Sequence, residues 1–125
     1  MSVAAAIAVG LIAVVAVFQL GLVAGAPWGA AAWGGTHPGT LPPRLRAASA
    51  GSVVILAVMA WILLARDGAV DPSVARGVVA VAAWVVTAYF AFGTVVNAVS
   101  PSKVERWWSP VSLVAAIAST IVATS

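Results

Sequence analysis

Apolar residues fall in four long blocks, separated by three stretches where glycine, proline and charged residues gather. The first block, Val3 to Ala26, is interrupted only by Gln19, and the second, Ala47 to Ala65, lies between Arg46 and Arg66. The third, Val74 to Ala98, has Arg76 at its entrance and Asn97 near its exit. The fourth starts at about 103 and ends at about 124, with its apolar part beginning near Trp107 and Pro110 close to that start. A helix rises about 1.5 Å per residue and the hydrocarbon core of a bilayer is about 30 Å thick, so an uncharged apolar run of about 18 residues or more can cross it. β-Branched residues are frequent, but no block alternates with a period of two, which argues against a membrane barrel. The expected fold is all-α: a single transmembrane domain over residues 1–125, an integral membrane bundle of four helices at about 3–26, 47–65, 74–98 and 103–124. A long Gly/Pro/Trp-rich loop follows the first helix.

The three connections differ. The first, from Pro27 to about Arg46, holds Pro27-Trp28-Gly29, Trp33-Gly34-Gly35, Pro38-Gly39 and Pro42-Pro43, too many breakers for a continuous helix. The second, Arg66 to Arg76, reads as a plain hairpin in which Asp71 or Ser73 caps the third helix. In the third, Ser100-Pro101 fits an N-cap with a first-turn proline, and Ser102 with Glu105 fits a capping box. A helix is therefore expected to begin before the membrane, with Pro110 kinking it at the boundary and an interfacial stub carrying Lys103, Arg106, Trp107 and Trp108.

Composition sharpens this picture. Of the 125 residues, 63% are hydrophobic and 7% are charged, against roughly 25% charged in soluble domains, so a water-soluble surface could not be built. Cysteine is absent, which removes disulfides, thiolate metal sites and cysteine nucleophiles. The net charge of +3 is spread without a basic run, and nucleic-acid binding has no support. The first block is too long for a signal-peptide core and no positive charge precedes it, so it is expected to be a retained helix. The first and third loops carry Arg44, Arg46, Lys103 and Arg106 against Glu105 alone, while Arg66 and Arg76 of the second are balanced by Asp67 and Asp71. The positive-inside bias then places loops one and three in the cytoplasm and both termini outside.

Candidate chemistry is located by depth. Gln19, Asn97, Ser49 and Ser52 all fall near the end of the bundle that bears loops one and three, as do Trp28, Trp33, His37, Trp107 and Trp108. An amide in hydrocarbon needs a partner, because an unpaired polar group costs several kcal/mol there. Gln19 and Asn97 are thus expected to face inward, either as the wall of a polar pocket closed by the first loop or as glue between helices. Trp84, with Tyr89, is either lipid-facing bulk or cavity wall. Glu105 is expected to pair with a neighbouring arginine, and the basic cluster either fixes topology or attracts anionic lipid. Gly21-Leu-Val-Ala-Gly25 is a GxxxG that supports tight helix packing within the bundle or to a second copy. His37, the sole histidine, lacks companions for a metal site. No P-loop, dinucleotide glycine motif, HExxH or GxSxG occurs, and the apolar blocks hold no acidic residue for a proton relay.

The residues Gly25-Ala-Pro-Trp-Gly29, Trp33-Gly-Gly35, Pro38-Gly39, Leu41-Pro-Pro-Arg44 and Asn97 to Pro101, with Lys103, Glu105, Arg106 and Pro110, resemble a family of small four-helix bacterial membrane proteins frequent in actinobacteria. The resemblance covers nearly the whole chain and implies a bacterial inner-membrane location. It implies no activity.

The function expected from these observations is that of an accessory or ligand-binding module, non-enzymatic and without cofactor or metal. Its site would lie at the cytoplasmic end and comprise Gln19, Trp28, Trp33, His37, Arg44, Asn97, Glu105 and Arg106. Expected partners are membrane lipid and a membrane protein or second copy of the chain. An oligomeric transporter or channel is the alternative, with Tyr89, Thr94 or Thr87 lining an aqueous path.

Overall fold

A computed structural model describes all residues from Met1 to Ser125. It is all-helical: α1 (Val3–Val23), α2 (Pro43–Asp67), α3 (Arg76–Ala98) and α4 (Trp108–Thr124), with short 3-10 turns at Gly29–Ala31, Trp33–Gly35 and Glu105–Trp107. Four segments, with the turn at Glu105 counted into the last, are long and apolar enough to cross a membrane.

The helix ends differ from the expected ones for local reasons. α1 stops at Val23, short of Ala26, because Gly25 adopts a left-handed φ of +96°. The Gly25 and Ala26 N–H groups then turn back to the Leu22 and Gly21 carbonyls, the paired bonds of a Schellman motif. α2 begins at Pro43 instead of Ala47, since a proline at the first helical position loses no hydrogen bond. It ends at Asp67, with left-handed Gly68 making the same kind of stop. Asp71 and Ser73 do not cap α3. The Asp71 carboxylate accepts from the Ser73 N–H in a local turn, and α3 starts at Arg76 without a side-chain cap.

The third connection also departs from expectation. Ser102 Oγ accepts from the Glu105 N–H, which is half of a capping box. The other half does not form, because the Ser102 N–H goes to Ser100 Oγ and the Glu105 carboxylate reaches across to the first loop. No regular helix therefore grows from 103, only a 3-10 turn that runs into α4. Pro110 lies in the first turn of α4, where its missing N–H has no intrahelical partner to lose.

Packing is uneven along the bundle. α1 lies against α2 and α4, α3 packs chiefly on α4, and α2 and α3 touch more sparsely. The main core lies toward the end that carries the termini: Ala5, Ala8 and Ile12 meet Met59, Leu63, Val86, Ala115, Ala118 and Val122. Small alanines on α1 and α4 let backbones approach closely there. Outward positions remain apolar, with Val17, Val54, Val81, Val85, Phe92 and Ile121 all more than half exposed. Trp84 belongs to this outer surface.

Arginines close the helix ends. The Arg46 guanidinium donates from Nε and Nη2 to the Val23 carbonyl, at 3.0 and 2.8 Å. Arg66 grips the Ala123 carbonyl of α4 in the same way. Both place a cation at the negative end of a helix dipole and satisfy a carbonyl with no intrahelical donor. Replacing Arg46 by Met is expected to lower unfolding stability in mixed micelles by about 1–3 kcal/mol. Arg44→Met, at an exposed position of the same turn, should change it by less than about 0.5 kcal/mol. Ser119→Ala, which deletes a buried hydroxyl without a partner, should leave stability unchanged or raise it.

Candidate functional site

The first loop is docked onto the bundle by side chains from elements that come later in the chain. Trp33 Nε1 donates to Ser49 Oγ, a fully buried hydroxyl on α2, at 3.2 Å. The Gly34 N–H donates to Glu105 Oε2 at 2.9 Å. Ser102 Oγ donates to the Ala30 carbonyl, and Trp108 Nε1 to the Ala31 carbonyl at 3.1 Å. Within the loop, the Gly29 N–H meets the Gly39 carbonyl at 2.8 Å. The chain comes so close there that a Cβ on Gly29 would run into the His37 carbonyl. Leu41 and Ala32 bury with Leu22 in a small apolar cluster against Phe18 and Leu45.

Trp33 carries the cost of this arrangement. It has a φ of +52°, a left-handed conformation rare for a bulky residue, and is followed by Gly34 and Gly35, both at +72°. Such strain persists only where surrounding bonds hold it. Here Ser49 holds the indole and Glu105 holds the next peptide group.

Beneath the loop lies a cavity of about 450 Å³, within the range of small-molecule sites. Its loop-side roof is Ala31 to Gly34 with Glu105 and Trp108. Its walls are Phe18 and Gln19 of α1, Ser52 and Leu56 of α2, Phe90, Gly93 and Asn97 of α3, and Ser112 of α4. Val15 and Tyr89 also line it, which puts its floor about 12–14 Å inside the ends of α1 and α3 at about 1.5 Å per residue. The exposed lining residues Tyr89, Phe92 and Val96 mark a mouth on the side of the bundle, beside α3 where its contact with α2 is sparse. The cavity therefore opens sideways.

Of the residues singled out in the sequence, Gln19, Trp33, Asn97 and Glu105 line this cavity. Gln19 Oε1 is buried without a partner, while Asn97 Nδ2 makes a long 3.4 Å contact with Ser112 Oγ. Trp28, His37, Arg44 and Arg106 do not line it. Trp28 stacks on Phe18 at a centroid distance of 6.1 Å, with its ring seated over Gly21, where a Cβ would overlap it. Gly21 of the GxxxG thus accommodates a tryptophan of the same chain, and Gly25 ends the helix, so within the bundle neither marks a close helix-to-helix contact. His37 Nδ1 lies 3.0 Å from Thr36 Oγ1. Arg106 donates to the Ser100 and Pro101 carbonyls, so Glu105 does not take the expected arginine partner. The expected pairing gives way to a backbone N–H because the loop brings Gly34 to the buried carboxylate.

Ser49, Ser102 and Trp108 hold the loop but were not among the expected site residues. Ser49 had a usable signal, as a hydroxyl in the first turns of an apolar helix. Thr87 and Thr94 bond the Ala83 and Phe90 carbonyls of their own helix, so their hydroxyls are occupied locally. No group of three or more His, Asp or Glu residues is arranged to hold a metal ion. At the opposite end a second depression, of about 460 Å³, lies around Arg66, Asp71 and Arg76 beside the second connection.

Compared with known protein families, curated proteins and solved structures, the chain matches none. Its function has to be read from its own residues. Glu105→Leu leaves the part-buried Gly34 N–H without an acceptor and is expected to cost about 1–3 kcal/mol, whereas Glu105→Gln keeps an acceptor oxygen and should cost less. Thermal melting of the two variants in one detergent checks the order.

Proposed function

We propose that this chain is a multi-pass membrane protein that binds an amphiphilic molecule in the side-opening cavity under its first loop. The membrane setting is supported by the apolar outer surface of helices long enough to span, since a soluble protein rarely exposes such continuous apolar area. A bacterial inner-membrane location follows from the family resemblance drawn from the loop motifs, and the loop charges favour loops one and three in the cytoplasm.

The observation that carries the binding reading is the position of the cavity mouth. It lies between α2 and α3, at a depth where acyl chains would surround an inserted bundle, while its roof is polar and hydrogen-bonded. A ligand with an apolar body and a polar head could enter from the bilayer and set its head beneath Trp33 and Gly34. Membrane lipid itself is one candidate. A pore through an oligomer has less support, because Thr87 and Thr94 are turned to their own helix carbonyls.

Absence of cysteine makes topology simple to test. In intact cells a membrane-impermeant maleimide should label Ser73→Cys, and should label Thr40→Cys only after lysis. The reverse pattern would invert the orientation. For the cavity, a phospholipid with a photoactivatable acyl chain should label Leu56 and Phe90 peptides of the wild type. Val96→Trp, which fills the mouth from an exposed position, should abolish that labelling while labelling around Trp84 persists. Labelling confined to the outer surface in both proteins would refute the side entrance.

A further inference from the structure

The cavity has an unbalanced charge. Glu105 is the one carboxylate that lines it, and no basic side chain does. The residue is 7% exposed, and its carboxylate has a single hydrogen bond, from the Gly34 N–H. Its sequence neighbour Arg106 is directed to the Ser100 and Pro101 carbonyls, and Lys103 is exposed. A buried carboxylate that lacks a cation is costly, and the cost falls when a cation shares its surroundings. Gln19 also lines the cavity, and its Oε1 is buried beside it without a partner.

Six aromatic residues share the lining with aliphatic and hydroxyl side chains: Phe18, Trp33, Tyr89, Phe90, Phe92 and Trp108. Ring faces are electron-rich and attract large, weakly hydrated cations. A small metal ion is usually held by several carboxylate or imidazole ligands, and no group of three or more His, Asp or Glu residues is arranged for one. An anionic ligand would be opposed by Glu105, and a neutral one would leave the carboxylate uncompensated.

We propose, building on the reading of the cavity as a binding site, that its ligand is a lipophilic organic cation of the quaternary ammonium or phosphonium class, with Glu105 as its counter-ion. The apolar substituents lie against the aromatic wall and leave through the mouth between α2 and α3.

The test is a titration of the intact chain in non-ionic detergent, read by tryptophan fluorescence, with three probes of similar bulk: tetraphenylphosphonium, tetraphenylborate and neutral triphenylmethanol. The cation is expected to bind about tenfold tighter than either of the others, as one opposite charge in a partly desolvated site allows. Glu105→Gln keeps an oxygen for the Gly34 N–H and should erase the preference while leaving triphenylmethanol affinity within about twofold. Ser52→Lys, which adds a cation to the wall without touching Glu105, should erase it in the same way and serves if the Gln variant does not fold. Equal binding of all three probes by the wild type would overturn the cation proposal and leave the binding site standing. A preference that survives both substitutions would also overturn it. No binding of any probe would remove both readings.

Discussion

A peptide group removed from water must find a hydrogen-bond partner, and in this protein that requirement falls most heavily on the first loop. Between Val23 and Pro43 the chain leaves regular structure while remaining pressed against the helices. Some of its peptide groups bond one another, as Gly29 does with Gly39. Others, at Ala30, Ala31 and Gly34, are met by Ser102, Trp108 and Glu105 from the third connection and α4, while Ser49 of α2 takes the Trp33 indole. Each lies downstream in the sequence. The loop can therefore reach its final path only once the bundle has assembled, and loop and bundle form one structural unit. The left-handed Trp33 shows the strength of that coupling, because a bulky residue rarely adopts that conformation.

The helices of the bundle pack closely toward one end and leave space toward the other for a reason of side-chain size. Toward the termini, alanines on α1 and α4 allow close contact around Leu63 and Val122, and Arg66 seals the end of α4. Toward the loop, the facing residues are Phe18, Phe90 and Trp108, with Gly93 between them and α4. Large rings and a missing side chain do not fill space evenly. The cavity occupies the space they leave, roofed by the docked loop. Structure and proposed function thus share one origin: the groups that hold the loop also supply the polar head of the site.

Much of this architecture was legible in the sequence. Apolar run length identified the four helices, since few other chains need such lengths without charge. Depth reasoning singled out Gln19 and Asn97, because amides are conspicuous among valines and alanines. Helix ends were less legible. Pro43 acts both as a breaker and as a good first residue, and Gly25 ends α1 three residues before the apolar run does. The path of the loop was illegible, because it depends on bonds between residues some seventy positions apart, such as Gly34 with Glu105. For that reason Arg44, His37 and Trp28, placed by sequence with the site, lie away from the cavity, whereas Ser49 and Trp108 prove to hold its roof. Glu105 stands out in the sequence as a charge beside Arg106, but local spacing cannot foresee its bond to the distant Gly34 N–H.

The docked loop is the central claim, and amide hydrogen exchange on the detergent-solubilised protein tests it most directly. The Gly29 and Gly34 amides should exchange slowly, with protection approaching that of the α2 amides, while those near Val74 in the second connection exchange quickly. Exchange of the Gly29 to Gly35 amides as fast as in that connection would mean that the loop is not held against the bundle, and the cavity would lose its roof.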